Sequence, residues 1–62
     1  MMKHNITIKE LRILTKMTQQ EFAKYLQIPL RTIQNWEGGQ RIPADYITHL
    51  IEYKLRNEKL IN

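Results

Sequence analysis

The central part of the chain, residues 18–43, constrains the fold more than any other part. It reads TQQEFAKYLQIPLRTIQNWEGGQRIP and holds two short helical patterns, separated by about three residues and closed by a pair of glycines. Thr18 and Glu21 form the capping-box pattern that opens the first helix, and Phe22 and Leu26 follow at helical spacing. So short a connection makes the two helices cross and pack tightly on each other.

The second helical pattern begins at Pro29 and ends at Gly38. Ile33 and Trp36 lie three residues apart on its apolar face, so we expect Trp36 in the core rather than stacked on a ligand. Its other face carries Arg31, Thr32, Gln34 and Asn35. A forked donor, a hydroxyl with a methyl group and two carboxamides match the edges of base pairs. We therefore predict a helix–turn–helix at about residues 18–37 whose second helix reads DNA.

The turn between these helices contains two unusual residues. Gln27 follows the first helix, at a position where a left-handed backbone is common and glycine is the easy choice. Pro29 sets φ for the start of the next helix but offers no capping side chain. Between them, Ile28 is expected to plug the turn into the core.

Further helices flank this motif. A second capping box, Thr7 with Glu10, opens a helix at about residue 8 that ends near Lys16-Met17. Its apolar face holds Ile8, Leu11 and Thr15, with Leu14 beside it and Ile13 exposed. A last helix begins at Ala44-Asp45 and reaches Arg56 or beyond; its expected apolar stripe is Tyr46, Ile47, Leu50, Ile51 and Leu55. The prediction is an all-α fold, a compact four- to five-helix bundle forming a single domain over residues 1–62.

The composition excludes several classes of function. The chain has no cysteine and no serine, which rules out disulfides, zinc–thiolate sites and a Ser-His-Asp triad. His4 and His49 have no acidic partners at ligand spacing, so we expect no metal site. With no nucleophile or cofactor motif, we expect neither an enzyme nor a cofactor. No apolar run approaches the ~18 residues of a membrane span, and we expect a cytoplasmic protein.

The charge is unevenly distributed. The net charge is +4, and residues 1–31 carry six Lys or Arg against two Glu, while residues 32–62 carry four of each sign. A basic half favours a polyanionic partner. Charge alone is equally compatible with simple solubility, so the argument depends on the motif.

The motif as a whole resembles the Xre family, the Cro and phage-repressor type of helix–turn–helix. The residues that carry the resemblance are Leu11-Arg12, Met17-Thr18-Gln19, Glu21-Phe22-Ala23, Leu26, Ile28, Thr32-Ile33, Trp36-Glu37, Gly39, Arg41 and Pro43. They cover roughly residues 8 to 55. The pattern departs from the family at Gln27, where glycine is usual, and at Pro29, where Ser or Thr usually caps the helix.

The resemblance implies a protein that binds operator DNA as a two-fold dimer, usually to repress transcription. The residues at base-reading positions are Leu30, Arg31, Thr32 and Asn35, with Gln34 beside them. The residues at phosphate-contacting positions are Gln19, Gly39, Gln40 and Arg41. Arg12 and Glu37 match a pair that forms an ion pair between the first and third helices.

A different function remains open beside the repressor. An antitoxin-type module would neutralise a partner protein, such as a toxin, and bind DNA only to regulate its own operon. Its binding surface would be formed by apolar residues expected to be exposed: Ile13, Leu55, Leu60 and Ile61. A homodimer interface explains the same residues equally well.

Overall fold

The computed structural model describes residues 6–62, which form four α-helices and no strand. The helices are α1 (Ile8–Thr15), α2 (Gln19–Leu26), α3 (Leu30–Gly38) and α4 (Asp45–Asn57). The prediction of an all-α fold with a central helix–turn–helix is confirmed. His4, considered above as a metal ligand, lies outside the described residues.

Both predicted capping boxes are present. The Glu10 backbone N–H donates to Thr7 Oγ1 at 3.1 Å, and the Thr7 N–H donates to Glu10 Oε1 at 2.8 Å. At α2 the corresponding distances between Thr18 and Glu21 are 3.1 and 2.9 Å. Each box satisfies two backbone groups that a helix start leaves unpaired, so the starts of α1 and α2 are fixed locally.

The turn between α2 and α3 follows the prediction at Gln27 and corrects it at Pro29. Gln27 is left-handed, with φ 59° and ψ 41°. The next residue, Ile28, donates its N–H to the carbonyl of Ala23 at 3.0 Å and packs against the core. Pro29 was predicted as the first helical residue but is the N-cap of α3, with ψ 140° and no side-chain cap. Its fixed φ sets the entry of the chain, and the helix itself begins at Leu30.

Replacing Gln27 by glycine is expected to stabilise the protein by ~1 kcal/mol at most. The left-handed backbone brings the Cβ of Gln27 close to its own carbonyl, and glycine removes that clash while it loosens the unfolded chain. Thermal melts of the two proteins measure the change. Lys24→Gly, inside α2, is the matched control and should destabilise the protein by about 1 kcal/mol. A Gln27→Gly protein that melts clearly lower would contradict this account of the turn.

The core is formed by side chains from all four helices and from the last residues of the chain. Its buried members are Ile8, Leu11, Phe22, Ala23, Ile33, Ile51, Leu55 and Ile61. Trp36 is half-buried and packs against this cluster, which confirms its predicted place in the core. Leu14 on α1 is exposed, and so is Ile13, as predicted.

The predicted apolar stripe of α4 is partly wrong. Ile51 and Leu55 are buried and Ile47 is half-buried, but Tyr46 and Leu50 face solvent. Both sets recur every four residues, so both fit a helical period, and only the direction of packing separates them. The helix turns the aliphatic set 47, 51 and 55 inward.

The last residues of the chain return to the core. Lys59 is left-handed, with φ 63°, and the Leu60 N–H donates to the Leu55 carbonyl at 2.9 Å. This reversal places Ile61 against the core, where it is 9% exposed, while Leu55 is 0% exposed. The prediction that Leu55 and Ile61 are exposed is therefore wrong; Leu60 is exposed as predicted.

A polar cluster fastens α2 to the end of α4. The Tyr25 hydroxyl donates to the Glu58 carboxylate, which also accepts from Lys54 Nζ at 3.0 Å. The Lys54 ammonium lies 5.1 Å from the centre of the Tyr25 ring, within cation–π range. Burial and the neighbouring carboxylate raise the pKa of Tyr25 to about 12, so its hydroxyl keeps the proton that it donates.

Candidate nucleic-acid interface

The polar face of α3 is accessible along its length. Arg31 and Gln34 are exposed, Leu30 is at the exposed limit, and Thr32 and Asn35 are half-buried. Ile33, on the opposite side of the helix, is fully buried. The buried side therefore holds α3 in place while the predicted base-reading side chains stay available to a ligand.

Two open grooves run along the sides of α3. The α2 groove, of about 550 Å³, is lined by Arg12, Thr18, Gln19, Gln20, Leu30 and Gln34. The loop groove, of about 510 Å³, is lined by Pro29, Arg31, Thr32, Asn35, Trp36, Arg41, Ile42, Pro43, Ala44 and Ile47. The structure thus divides the predicted base-reading residues into two groups. Leu30 and Gln34 share a groove with Gln19, and the other three share one with Arg41.

A three-residue cluster ties α1, α2 and α3 together behind the α2 groove. Arg12 grips the Glu37 carboxylate with two N–H groups, Nε to Oε2 at 2.7 Å and Nη2 to Oε1 at 3.0 Å. Its third donor, Nη1, reaches the Met17 carbonyl at 3.0 Å. Gln19 Nε2 donates to Glu37 Oε1 at 3.0 Å. One carboxylate therefore fixes both the ion pair and the side-chain amide at the start of α2.

The electrostatics of this cluster favour the charged forms of both partners. Burial alone would raise the pKa of Glu37, but the hydrogen bonds from Arg12 and Gln19 outweigh it and hold the pKa below its ordinary value of 4.5. The same hydrogen bond to Glu37 raises the pKa of Arg12. The pair stays ionised at neutral pH and functions as a structural clamp.

The loop after α3 is shaped by its two glycines. A methyl group at Gly38 would lie 2.5 Å from Gln40 Oε1, so the glycine leaves room for the Gln40 amide to fold back. Gly39 has φ 86°, which glycine adopts without strain. The Arg41 N–H then donates to the Asn35 carbonyl at 3.2 Å. These contacts hold Arg41 on the rim of the loop groove, and its side chain is exposed.

The structure also shows two features that the sequence argument missed. Gln20 lines the α2 groove next to Gln19, and the run of two glutamines after the Thr18 cap was a signal for it. Gln19 was predicted only as a phosphate contact, whereas it also bonds Glu37. Eighteen residues separate that pair, and no local pattern in the sequence joins them.

Other kinds of site find no support in the described part of the chain. Within residues 6–62, no three His, Asp or Glu side chains are grouped so that they hold a metal ion. No helix there combines the length and the apolar character needed to cross a membrane. The α3 face with its two grooves is therefore the candidate site.

Comparison with protein families agrees with this geometry. A helix-turn-helix family model matches residues 8–46, from the start of α1 to the start of α4. The chain belongs to the Xre and Cro type of helix-turn-helix family. This Xre-type protein is accordingly a DNA-binding regulator, with α2 and α3 as its helix–turn–helix. Searches among curated proteins and among solved structures gave no match.

Proposed function

We propose that this Xre-type protein is a sequence-specific repressor that binds an inverted-repeat operator as a dimer, with α3 in the major groove. The observation that carries the proposal is the exposed polar face of α3 between two open grooves. A helix that projects from the surface in this way fits between the two phosphate strands that border a major groove. Occupying an operator in this way blocks access to the same DNA.

The base-reading role falls to five residues on the exposed side of α3: Leu30, Arg31, Thr32, Gln34 and Asn35. Arg31 lies in the first helical turn, where its forked donors reach guanine O6 and N7. Gln34 and Asn35 carry carboxamides that pair with adenine N6 and N7, and the apolar end of Leu30 suits a thymine methyl group. The grooves separate Arg31 and Asn35 from Gln34, so the two carboxamides read different base pairs.

Phosphate contacts fall to the borders of the two grooves. Gln19 uses one amide hydrogen on Glu37 and has a second free to donate, because a carboxamide nitrogen carries two. On the other border, Gly39 and Gln40 offer backbone N–H groups and Arg41 adds a charge. The two borders flank α3, so each contacts one strand of the duplex.

Selection from a pool of random duplexes tests the proposal directly. The selected sequences should contain an inverted repeat with half-site centres ~34 Å apart, because two recognition helices related by two-fold symmetry enter the same side of the DNA. Footprinting should then protect both half-sites together. A single unpaired half-site, protected by one molecule at saturating protein, would contradict the dimeric part of the proposal.

The phosphate assignment predicts different salt dependences for two variants. Arg41→Ala should weaken binding to all duplexes alike and reduce the slope of log affinity against log salt by ~1 per half-site. Gln19→Ala is the neutral counterpart: it should also weaken all duplexes alike but leave that slope unchanged. The measurement is the dissociation constant between low and moderate salt on selected and scrambled duplexes. A sequence-dependent loss with Arg41→Ala would instead place Arg41 on a base.

The antitoxin-type alternative keeps the same DNA surface and assigns a second surface to a protein partner. Ile13 and Leu14 are adjacent exposed apolar residues on α1, on a helix that contributes no predicted base contact, and they favour this reading. Purification of the natively expressed protein distinguishes the two functions. A second protein in stoichiometric amount supports the antitoxin, and a homogeneous preparation supports the repressor.

A further inference from the structure

The outer side of α4 carries an apolar surface that the fold does not cover. Tyr46, Leu50 and Tyr53 are 66%, 62% and 69% exposed, and Ile42 continues the surface toward the DNA-facing loop. The three α4 residues are spaced four and three apart, so they form one line along the helix. We call Ile42, Tyr46, Leu50 and Tyr53 the outer stripe. A continuous apolar line of this kind on a small protein marks an interaction surface.

We propose that the outer stripe binds the outer stripe of a second copy, with the two α4 helices antiparallel about a two-fold axis near Leu50. This inference rests on the proposed dimeric function and assigns its interface. The order tyrosine, leucine, tyrosine reads nearly the same in both directions. Reversing one helix therefore places Tyr46 against Tyr53 of the second copy and brings the two Leu50 side chains together. A two-fold interface requires this self-complementarity.

The charges at the helix ends agree with the antiparallel arrangement. Asp45 stands at the start of α4, and Lys54 and Arg56 lie in its last turn. In the register that pairs Tyr46 with Tyr53, Asp45 of each copy lies opposite Lys54 of the other. The antiparallel helices also place the positive end of each helix dipole beside the negative end of its neighbour. A parallel arrangement would bring like charges together.

The dimensions of the molecule fit two copies on neighbouring half-sites. The protein measures 34 × 26 × 16 Å. Two copies whose recognition helices are ~34 Å apart therefore touch along one edge. Ile42 follows Arg41 directly, so the outer stripe begins next to the loop proposed to contact phosphate. The contact between copies lies close to the DNA, where both are held.

The area of the outer stripe implies a weak interface. Its side chains bury on the order of 500 Å² per copy, judged from the size of exposed tyrosines and aliphatic residues, against ~800 Å² per partner in a stable complex. We infer that the protein is monomeric in solution at micromolar concentration. The dimer forms on the operator, where neighbouring half-sites raise the effective concentration of the second copy.

Disulfide trapping tests the register, because the chain contains no cysteine of its own. Leu50→Cys on a selected inverted-repeat duplex should form a disulfide-linked dimer under mild oxidation, since only cysteines with Cα atoms within ~7 Å can bridge. An equimolar mixture of Tyr46→Cys and Tyr53→Cys should cross-link, whereas each variant alone should not. Ile13→Cys, an exposed residue on α1, is the matched control and should stay monomeric.

Leu50→Glu tests the energy of the contact with readouts on two kinds of duplex. Affinity for the paired site should fall roughly 10- to 100-fold, while affinity for a single half-site should stay that of the wild type, because α3 is untouched. Ile13→Glu should change neither. A Leu50→Glu protein with wild-type affinity for the paired site, or cross-linking at residue 13 instead of 50, would overturn the interface alone. Wild-type protein that binds no selected duplex would overturn the proposed function and the interface with it.

Discussion

Replacing Glu37 by alanine is expected to lower the free energy of unfolding by about 3 kcal/mol, a large share of the stability of so small a domain. The Glu37 side chain is 5% exposed and that of Arg12 is 16% exposed. Alanine would leave the Arg12 guanidinium largely buried without its carboxylate and would free the Gln19 amide. Denaturant unfolding, with unchanged denaturant dependence, measures the loss.

A double replacement is the control for this prediction. Arg12→Met combined with Glu37→Leu removes both charges and fills similar volume, so it should recover much of the stability lost in Glu37→Ala. The recovery would show that the loss comes from the stranded guanidinium rather than from missing packing. A Glu37→Ala protein destabilised by less than ~1 kcal/mol would mean that solvent reaches and screens the pair.

The same pair predicts the acid dependence of stability. The folded state lowers the pKa of Glu37 from 4.5, so the stabilisation is fully present above that value and is lost as the pH falls through the lowered folded pKa. Unfolding measured from neutral pH into acid should therefore show a smaller acid loss for Glu37→Gln than for the wild type. Glu58, whose pKa the hydrogen bonds from Tyr25 and Lys54 also lower, contributes in the same range, and Glu58→Gln measures its share.

Replacing Arg31 by alanine is expected to weaken binding to the selected operator by ~1–3 kcal/mol and to relax the preference at one base pair. The reason is geometric: Arg31 is exposed in the first turn of α3 and lines the loop groove beside Thr32 and Asn35. Affinities of the wild type and of Arg31→Ala are measured on the operator, on single-base variants and on scrambled duplexes.

Arg41→Ala is the matched control for Arg31→Ala, since both remove one exposed guanidinium bordering the same groove. Arg41→Ala should lower affinity for operator and scrambled duplex equally. Equal losses for Arg31→Ala as well would show that Arg31 anchors the protein to phosphate. Asn35 and Gln34 would then carry the specificity.

The parts of the fold that sequence patterns predicted are those set by neighbouring residues. Each capping box needs only a threonine and a glutamate three residues apart, and the left-handed Gln27 follows from the short connection between α2 and α3. The inward face of α4 could not be chosen from its sequence, because aliphatic and aromatic residues recur on two sides of the helix. The burial of Ile61 depends on a chain reversal at Lys59, which carries no glycine signal.

The candidate site was predictable to a similar extent. The exposed polar face of α3 follows from its periodicity, with Ile33 and Trp36 on the other side. The division of that face between two grooves was not predictable, because it depends on where α2 and the loop after α3 lie against it. The bond from Gln19 to Glu37 likewise joins helices that only the tertiary fold brings together.

The three left-handed residues that are not glycine hold a reserve of stability that has not been used. Lys16, Gln27 and Lys59 each close a turn with φ between 59° and 66°. They lie outside α3, so glycine at each position adds up to ~1 kcal/mol without altering a predicted base contact. A triple-glycine scaffold would tolerate costlier substitutions at Arg31, Gln34 or Asn35 before it unfolds. The turns of this domain therefore set how far its recognition helix can be redesigned for new operators.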